Sequence, residues 1–236
     1  MRKVLLLLTL LCTMFTTVLA TEVTIGADEA DATGNQYLPW NSFYKYAYSQ
    51  QIYTADEIGM AGTINSLTMQ LWQSGTAALP DFAIEVYMAL VDKEEFANTS
   101  DWEILSEDDL VFSGTVNVTS TTAEEVTIEL DEPFSYNGSD NLLIAFRNMT
   151  GSYVTGMRSI VFGAATTDDP YLAMYANKDA SAYDMSCVLN CFQVPDSRTE
   201  SSSFVNICCE CKLLGKAQFM IRSNHIGAPC FDDAFW

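Results

Sequence analysis

The stretch SFYKYAYSQQIYTADEIG, residues 42–59, decides how the chain reads. It holds Phe43, Tyr44, Tyr46, Tyr48 and Tyr53 within eleven positions. Tyr44, Tyr46 and Tyr48 alternate with Phe43, Lys45 and Ala47, and a strand converts that period of two into three tyrosines on one face. Thr54 then stands three residues before Glu57, the spacing of a capping box, and Gly59 occupies the place of a helix stop. The stretch reads as a strand closed by one helical turn over 54–58. Rows of cross-strand aromatics stabilise sheets without any ligand. Sheet cover is therefore the first reading of these tyrosines, and a stacking platform the second.

The same period recurs outward from this point. Val126, Ile128 and Leu130 alternate with Thr127 and Glu129, and Leu67, Met69 and Leu71 with Thr68, Gln70 and Trp72. In FAIEVYMAL (82–90), Phe82, Ile84, Val86 and Met88 share a face, while Ala83, Glu85, Tyr87 and Ala89 make the other only partly polar. VFSGTVNV (111–118) is a further strand, and NLLIAF (141–146), nearly all apolar, is expected at the centre of a sheet. Turn residues punctuate these runs at Gly75, Pro80-Asp81, 98–101, Asn137-Gly138 and 148–152. Tyr136 to Asn141 reads as a hairpin connection, because Asn-Gly tolerates positive φ. Many strands, short connections and no amphipathic helix of three turns predict an all-β sandwich or jelly roll.

The chain opens MRKVLLLLTLLCTMFTTVLA, a basic start, a short apolar run and a small residue at Ala20. This is the pattern of a secretory signal peptide over 1–20. Cys12 follows Leu11 rather than a small residue, which argues against lipidation there. No later run is long and apolar enough to be read as a membrane span. The expected location is secreted or at the cell surface.

Charge divides the remainder. Residues 21–186 hold 26 acids and 5 bases, whereas 187–236 hold 5 acids and 4 bases. Nucleic acid is excluded as a partner, because phosphate binding needs a concentrated basic surface. An acidic coat suits solubility outside the cell and contact with divalent cations. The six cysteines that follow the signal peptide, Cys187, Cys191, Cys208, Cys209, Cys211 and Cys230, all lie in the second segment.

The order of these elements carries a resemblance. YLPWNSFYKYAYSQQIYTADEIG (37–59), GTINSLTMQLW (62–72) and IEVYMALVDKEEFANTSDW (84–102) are followed by LVFSGTVNVT (110–119), VTIELDEPFSYNGSDNLLIAFRNMTGSY (126–153) and MRSIVFGA (157–164). The series resembles a β-sandwich module of secreted bacterial surface adhesins and haemagglutinins, similar in style to the cleaved-adhesin domains associated with gingipain proteases. The matching features are Ser49 to Tyr53 after a Tyr-rich strand, the pair Asp101-Trp102, and the run Pro133, Phe134, Tyr136, Gly138. The resemblance covers about 22–176. It implies a jelly-roll-like sandwich, export, a binding or spacer role, no catalytic residues, and structural calcium in acidic loops. The best calcium candidates are Asp28, Glu29 and Asp31, and Asp168 and Asp169; Asp92, Glu94 and Glu95, and Asp108 and Asp109 are further clusters.

Beyond 186 the match stops, apart from a final strand expected in KAQFMIR (216–222). Loss of acidity and arrival of cysteines at one point fit a disrupted coding frame; a disulfide-stapled extension is the alternative. The chain thus divides into a signal peptide (1–20), a β-sandwich (21–186) and an irregular Cys-rich extension (187–236). The cysteine spacing fits no standard zinc pattern, and in an exported protein disulfides are the better reading.

Residues 21–186 contain neither His nor Cys, so no Ser-His-Asp or Cys-His nucleophile and no histidine zinc site can be built there. A carboxylate-based glycoside hydrolase is a distant third reading, since nothing marks any acid pair. The sequons at Asn98, Asn117, Asn137 and Asn148 read as turn and strand residues. The leading expectation is an exported, non-catalytic adhesion module recognising a glycan or a host or matrix protein at the bacterial surface. Trp40, Tyr44, Tyr46, Tyr48, Trp72 and Trp102 are its candidate stacking residues. The alternative is a structural spacer within a larger secreted protein such as a protease.

Overall fold

The structure, a computed structural model, describes residues 21–26, 33–35, 38–73, 79–98, 101–153, 156–162, 172–178, 216–217 and 219–223. They form β1 (Thr21–Ile25), β2 (Thr33–Asn35), β3 (Tyr46–Tyr53), α1 (Ala55–Ile58), β4 (Gly62–Gln73) and β5 (Leu79–Val91). After a 3-10 turn, Glu107–Asp109, come β6 (Leu110–Val118), β7 (Glu124–Tyr136), β8 (Asn141–Asn148), β9 (Met157–Phe162), β10 (Ala173–Lys178), β11 (Lys216–Ala217) and β12 (Phe219–Ser223). Pairing is antiparallel throughout. Sheet A runs β1-β12-β4-β9-β11, with β2 also on β9 and β7 on β4; sheet B runs β10-β3-β8-β5-β6. The chain is an all-β sandwich.

The core lies between the sheets and follows the alternation of the strands. Leu67, Met69 and Leu71 of β4, Ile128 of β7 and Ile221 of β12 meet Phe82, Ile84, Val86 and Met88 of β5 and Leu142, Ile144 and Phe146 of β8. Each such side chain contributes about 1.5–3 kcal/mol by leaving water. β8 is the central strand of sheet B, as its apolar run predicts, and it is apolar on both faces because both faces are covered.

The outer cover is a second cluster of Tyr48, Ile52, Tyr87, Phe96, Leu105, Leu143, Ala145 and Met174. Phe96 and Leu105 come from the connection between β5 and β6, which folds across the outside of sheet B. Gln50, fully buried, fastens it: its Nε2 donates to the Glu103 carbonyl at 2.8 Å, and its Oε1 accepts from the Glu103 amide at 2.9 Å. Lys93 adds ion pairs to Asp101 at 3.0 Å and Glu103 at 2.5 Å. The half-polar second face of β5 is thus explained: it is a second packing surface.

Local signals hold at α1. The Thr54 hydroxyl accepts from the Glu57 amide, the Thr54 amide donates to Glu57 Oε2 at 2.6 Å, and Gly59 closes the turn at φ 72.

Two expectations are corrected and a third, a strand prediction, is located. The Asn137-Gly138 turn is tight, with Gly138 at φ 77 and Asn137 Oδ1 accepting from the Ser139 and Asp140 amides at 3.0 Å. It nevertheless joins β7 in sheet A to β8 in sheet B, so it is an arch between sheets and not a hairpin. Burial decides this: β8 needs a sheet covered on both sides, whereas β7 exposes Thr127 and Glu129 to solvent. β11 and β12 lie where a final strand is expected, in 216–222. β12 inserts between β1 and β4, and Ile221, opposite Leu67, is buried in the core. Finally, β3 begins at Tyr46, so Tyr44 precedes the strand and three tyrosines do not share its face.

Candidate functional site

The candidate stacking residues are distributed over the whole sandwich. Trp40 is 0 % exposed and packs between Phe82 and Phe146, with centroids at 5.8 and 5.6 Å. It belongs to the core and offers no ligand surface. Tyr48 is 1 % exposed and stacks on Trp102 at 5.4 Å, so this pair glues the cover to sheet B. Trp72 is half-buried in sheet A, where its ring lies against Gly34 closely enough that a Cβ there would stand 3.0 Å from it. Tyr44 and Tyr46, both half-buried, lie at one end of sheet B.

That end carries the exposed aromatics. Phe43 is 61 % and Tyr153 56 % exposed. They come from two neighbouring segments, 41–46 leading into β3 and 148–153 leading out of β8. Tyr44 meets Phe43 edge-on at 5.8 Å, and the Lys45 ammonium lies 5.3 Å from the Tyr153 ring centroid. The Gly151 amide donates to the Lys45 carbonyl at 3.0 Å, tying the segments together.

Asn148 organises both. It is fully buried; its Nδ2 donates to the Tyr44 carbonyl at 2.9 Å and the Asn41 carbonyl at 3.3 Å. Its Oδ1 accepts from the Thr150 amide at 2.9 Å. Buried serines fix the chain just before it enters the aromatic segment. The Ser49 hydroxyl donates to the Pro39 carbonyl, the Ser159 hydroxyl to the Leu38 carbonyl, and Ser42 Oγ accepts from the Met157 amide at 2.8 Å. The aromatic end is therefore held by side chains that cannot reach solvent, the arrangement that keeps a binding surface pre-organised.

Sequence reasoning passed over Phe43, Lys45 and Tyr153. Phe43 stood in the quoted stretch on the opposite parity to the tyrosines. Tyr153 was legible as a large aromatic at the end of a run of turn residues.

The opposite end of the sandwich is acidic. A cleft of about 410 Å³ there is lined by Asp56, Asp92, Glu94, Ser139 and Asp140 among others. Small-molecule sites are mostly apolar with a few converging polar groups, and this cleft is polar throughout its named acids. Asp109 is occupied as a cap, its Oδ2 accepting from the Ser106 amide at 2.6 Å. Among the described residues no three His, Cys, Asp or Glu side chains converge as a metal-holding group. The calcium candidates Asp28, Glu29, Asp31, Asp168 and Asp169 lie outside the described residues, as do all six of the later cysteines. No helix among the described residues is long and apolar enough to cross a membrane.

A second electrostatic group lies on the outer face of sheet B. Arg147 Nη1 pairs with Glu85 Oε2 at 2.9 Å, and the Tyr87 hydroxyl donates to the same oxygen at 2.9 Å. Burial, then the Glu85 carboxylate, pushes the Tyr87 hydroxyl up to about 12. At that value the phenol is a fixed donor at neutral pH and no base. The group reads as a cross-strand brace, since Arg147 stands opposite both Tyr48 and Glu85 in the ladder. Comparison with protein-family models, curated proteins and solved structures returned no match to this chain.

Proposed function

We propose that the protein is a non-catalytic binding module, exported to the cell surface or beyond it, that engages a glycan through the aromatic end of sheet B. The observation that carries this reading is the pair of exposed rings, Phe43 and Tyr153, on segments fixed from beneath by Asn148. Aromatic rings at 61 % and 56 % exposure cost solvation, and rings with an apolar face and a wet edge are the usual platforms for stacked ligands. A sugar ring fits such a platform because its axial C–H faces are apolar and its hydroxyls reach the rim. The lack of His and Cys in 21–186 supports a role without nucleophilic catalysis. Export is supported by the pattern of residues 1–20.

The test is a glycan array and a matrix-protein panel probed with the chain from residue 21 onward, beside Phe43→Ala and Tyr153→Ala. Both residues are exposed, so the variants should fold as the parent does, which circular dichroism checks. Glycan binding that each variant weakens by about fivefold or more, on the scale of 1–3 kcal/mol for a lost stacking ring, is the expected result. A protein that binds neither panel is better described as a spacer. Matrix-protein binding that survives both substitutions would move the contact elsewhere.

A further inference from the structure

We infer that the ligand of the aromatic end is an anionic glycan, bearing carboxylate or sulfate, and that Lys45 recognises its charge. This rests on the glycan reading of that end.

The argument begins with where charge is missing. In a body of 26 acids and 5 bases, residues 32–55 and 141–167 contain no Asp or Glu, yet they carry Lys45, Arg147 and Arg158. The fold lays β3 of the first segment beside β8 of the second, with Ala47 opposite Asn148 and Tyr48 opposite Arg147. A fourth base, Lys178 of β10, is the register partner of Tyr46. Of the five bases of the body, Lys45 lies in the segments that build the aromatic end, while Arg147 and Lys178 flank them in sheet B.

Their availability differs. Arg147 is engaged with Glu85 beneath the cover. Among the described residues the ion pairs involve Lys93 and Arg147, and Lys45 enters none of them. Its ammonium lies 5.3 Å from the Tyr153 centroid, so a sugar laid against that exposed ring has the charge within reach of a ring substituent. Asp179 follows Lys178 in the sequence and lies outside the described residues.

The acidic cleft does not cancel the effect. It begins beyond the far end of β3, roughly 25 Å away at about 3.3 Å per residue, which is two to three screening lengths at physiological salt. The overall charge makes the test stringent, because a protein of net charge −20 has no general affinity for polyanions.

Two matched pairs of probes test this: oligogalacturonate against its methyl ester, and dextran sulfate against dextran, each titrated at low and high salt. The expected result is a charged member bound about two- to fivefold more tightly than its neutral counterpart, as for one exposed ion pair, the gap closing as salt rises. Preference within the first pair alone assigns carboxylate, and within the second alone sulfate. Lys45→Gln should erase the gap within each pair, read as the ratio of charged to neutral affinity. Equal affinity within both pairs, or a gap that survives Lys45→Gln, overturns the inference while the glycan reading stands. Binding of none of the four, by a protein that is also silent on the glycan array, overturns both.

Discussion

Replacing Asn148 with alanine should damage stability and the aromatic end together. The side chain is fully buried and makes hydrogen bonds at 2.9 Å to the Tyr44 carbonyl, 2.9 Å from the Thr150 amide and 3.3 Å to the Asn41 carbonyl. At about 1–1.5 kcal/mol for each short bond and less for the long one, the loss is about 3 kcal/mol. For a domain of this size that lowers Tm by about 6–12 °C. Urea denaturation followed by tryptophan fluorescence gives the free energy directly, Trp40 being a buried reporter. The m value should not change, because the sandwich itself remains. Asn148→Asp sharpens the test: its carboxylate can still accept from Thr150 but confronts two carbonyls. At neutral pH it should be at least as destabilised as the alanine variant. Those carbonyls raise the folded-state pKa of the new carboxyl, so the lost stability should return as pH falls towards 4, when the acid can donate. An alanine variant within about 1 kcal/mol of the parent would refute this account of Asn148 as the organiser of both segments.

Three further outcomes follow from the same structure. Gly138→Ala should cost more than Gly59→Ala in a melting comparison: both need positive φ, but a Cβ at 138 would stand 2.8 Å from Ala61, whereas at 59 its nearest contact is 3.9 Å away. We expect about 1 kcal/mol for Gly59 and at least twice that for Gly138. Because the folded pKa of Tyr87 is raised to about 12, its contribution to stability is intact below pH 10 and is lost as pH climbs from 10 to 12. Ultraviolet titration of native protein should show this tyrosine ionising after the exposed ones, and simultaneous ionisation of all would count against the brace. Asp101 is held below its ordinary value by the Ala97 amide and by Lys93, so its contribution is full above about pH 4 and fades as pH falls further. Asp101→Asn should flatten the acid side of the stability profile, and an unaltered slope would contradict that assignment.

Local periodicity was a reliable guide where a strand has one partner face or two. The alternation in β4 and β7 and the apolar run of β8 each correspond to the burial observed. So does the Thr54–Glu57 box, because capping is settled within five residues. What could not be read was set by partners distant in sequence. The Asn-Gly turn specifies a tight reversal but not which sheet the next strand joins. Trp40 and Tyr48 have the same intrinsic character as Phe43 and Tyr153, yet the first two are buried and the others exposed, because core and cover close over only one pair. The cover was hidden for a related reason: Phe96, Trp102 and Leu105 are spaced irregularly along a polar connection, and irregular spacing has no period.

The cover over sheet B has a kinetic consequence. β8 is flanked by β3 and β5 along its length and sealed on both faces, so its amides can meet solvent only when sheet, core and cover separate together. β7 has β4 as its ladder partner and an exposed face, and can open on its own. Hydrogen exchange should therefore divide the molecule into a slow block centred on β8 and a faster block led by β7. The aromatic end hangs from the slow block through Asn148, the last residue of β8. A ligand bound there would be held by the part of the protein that is last to let go.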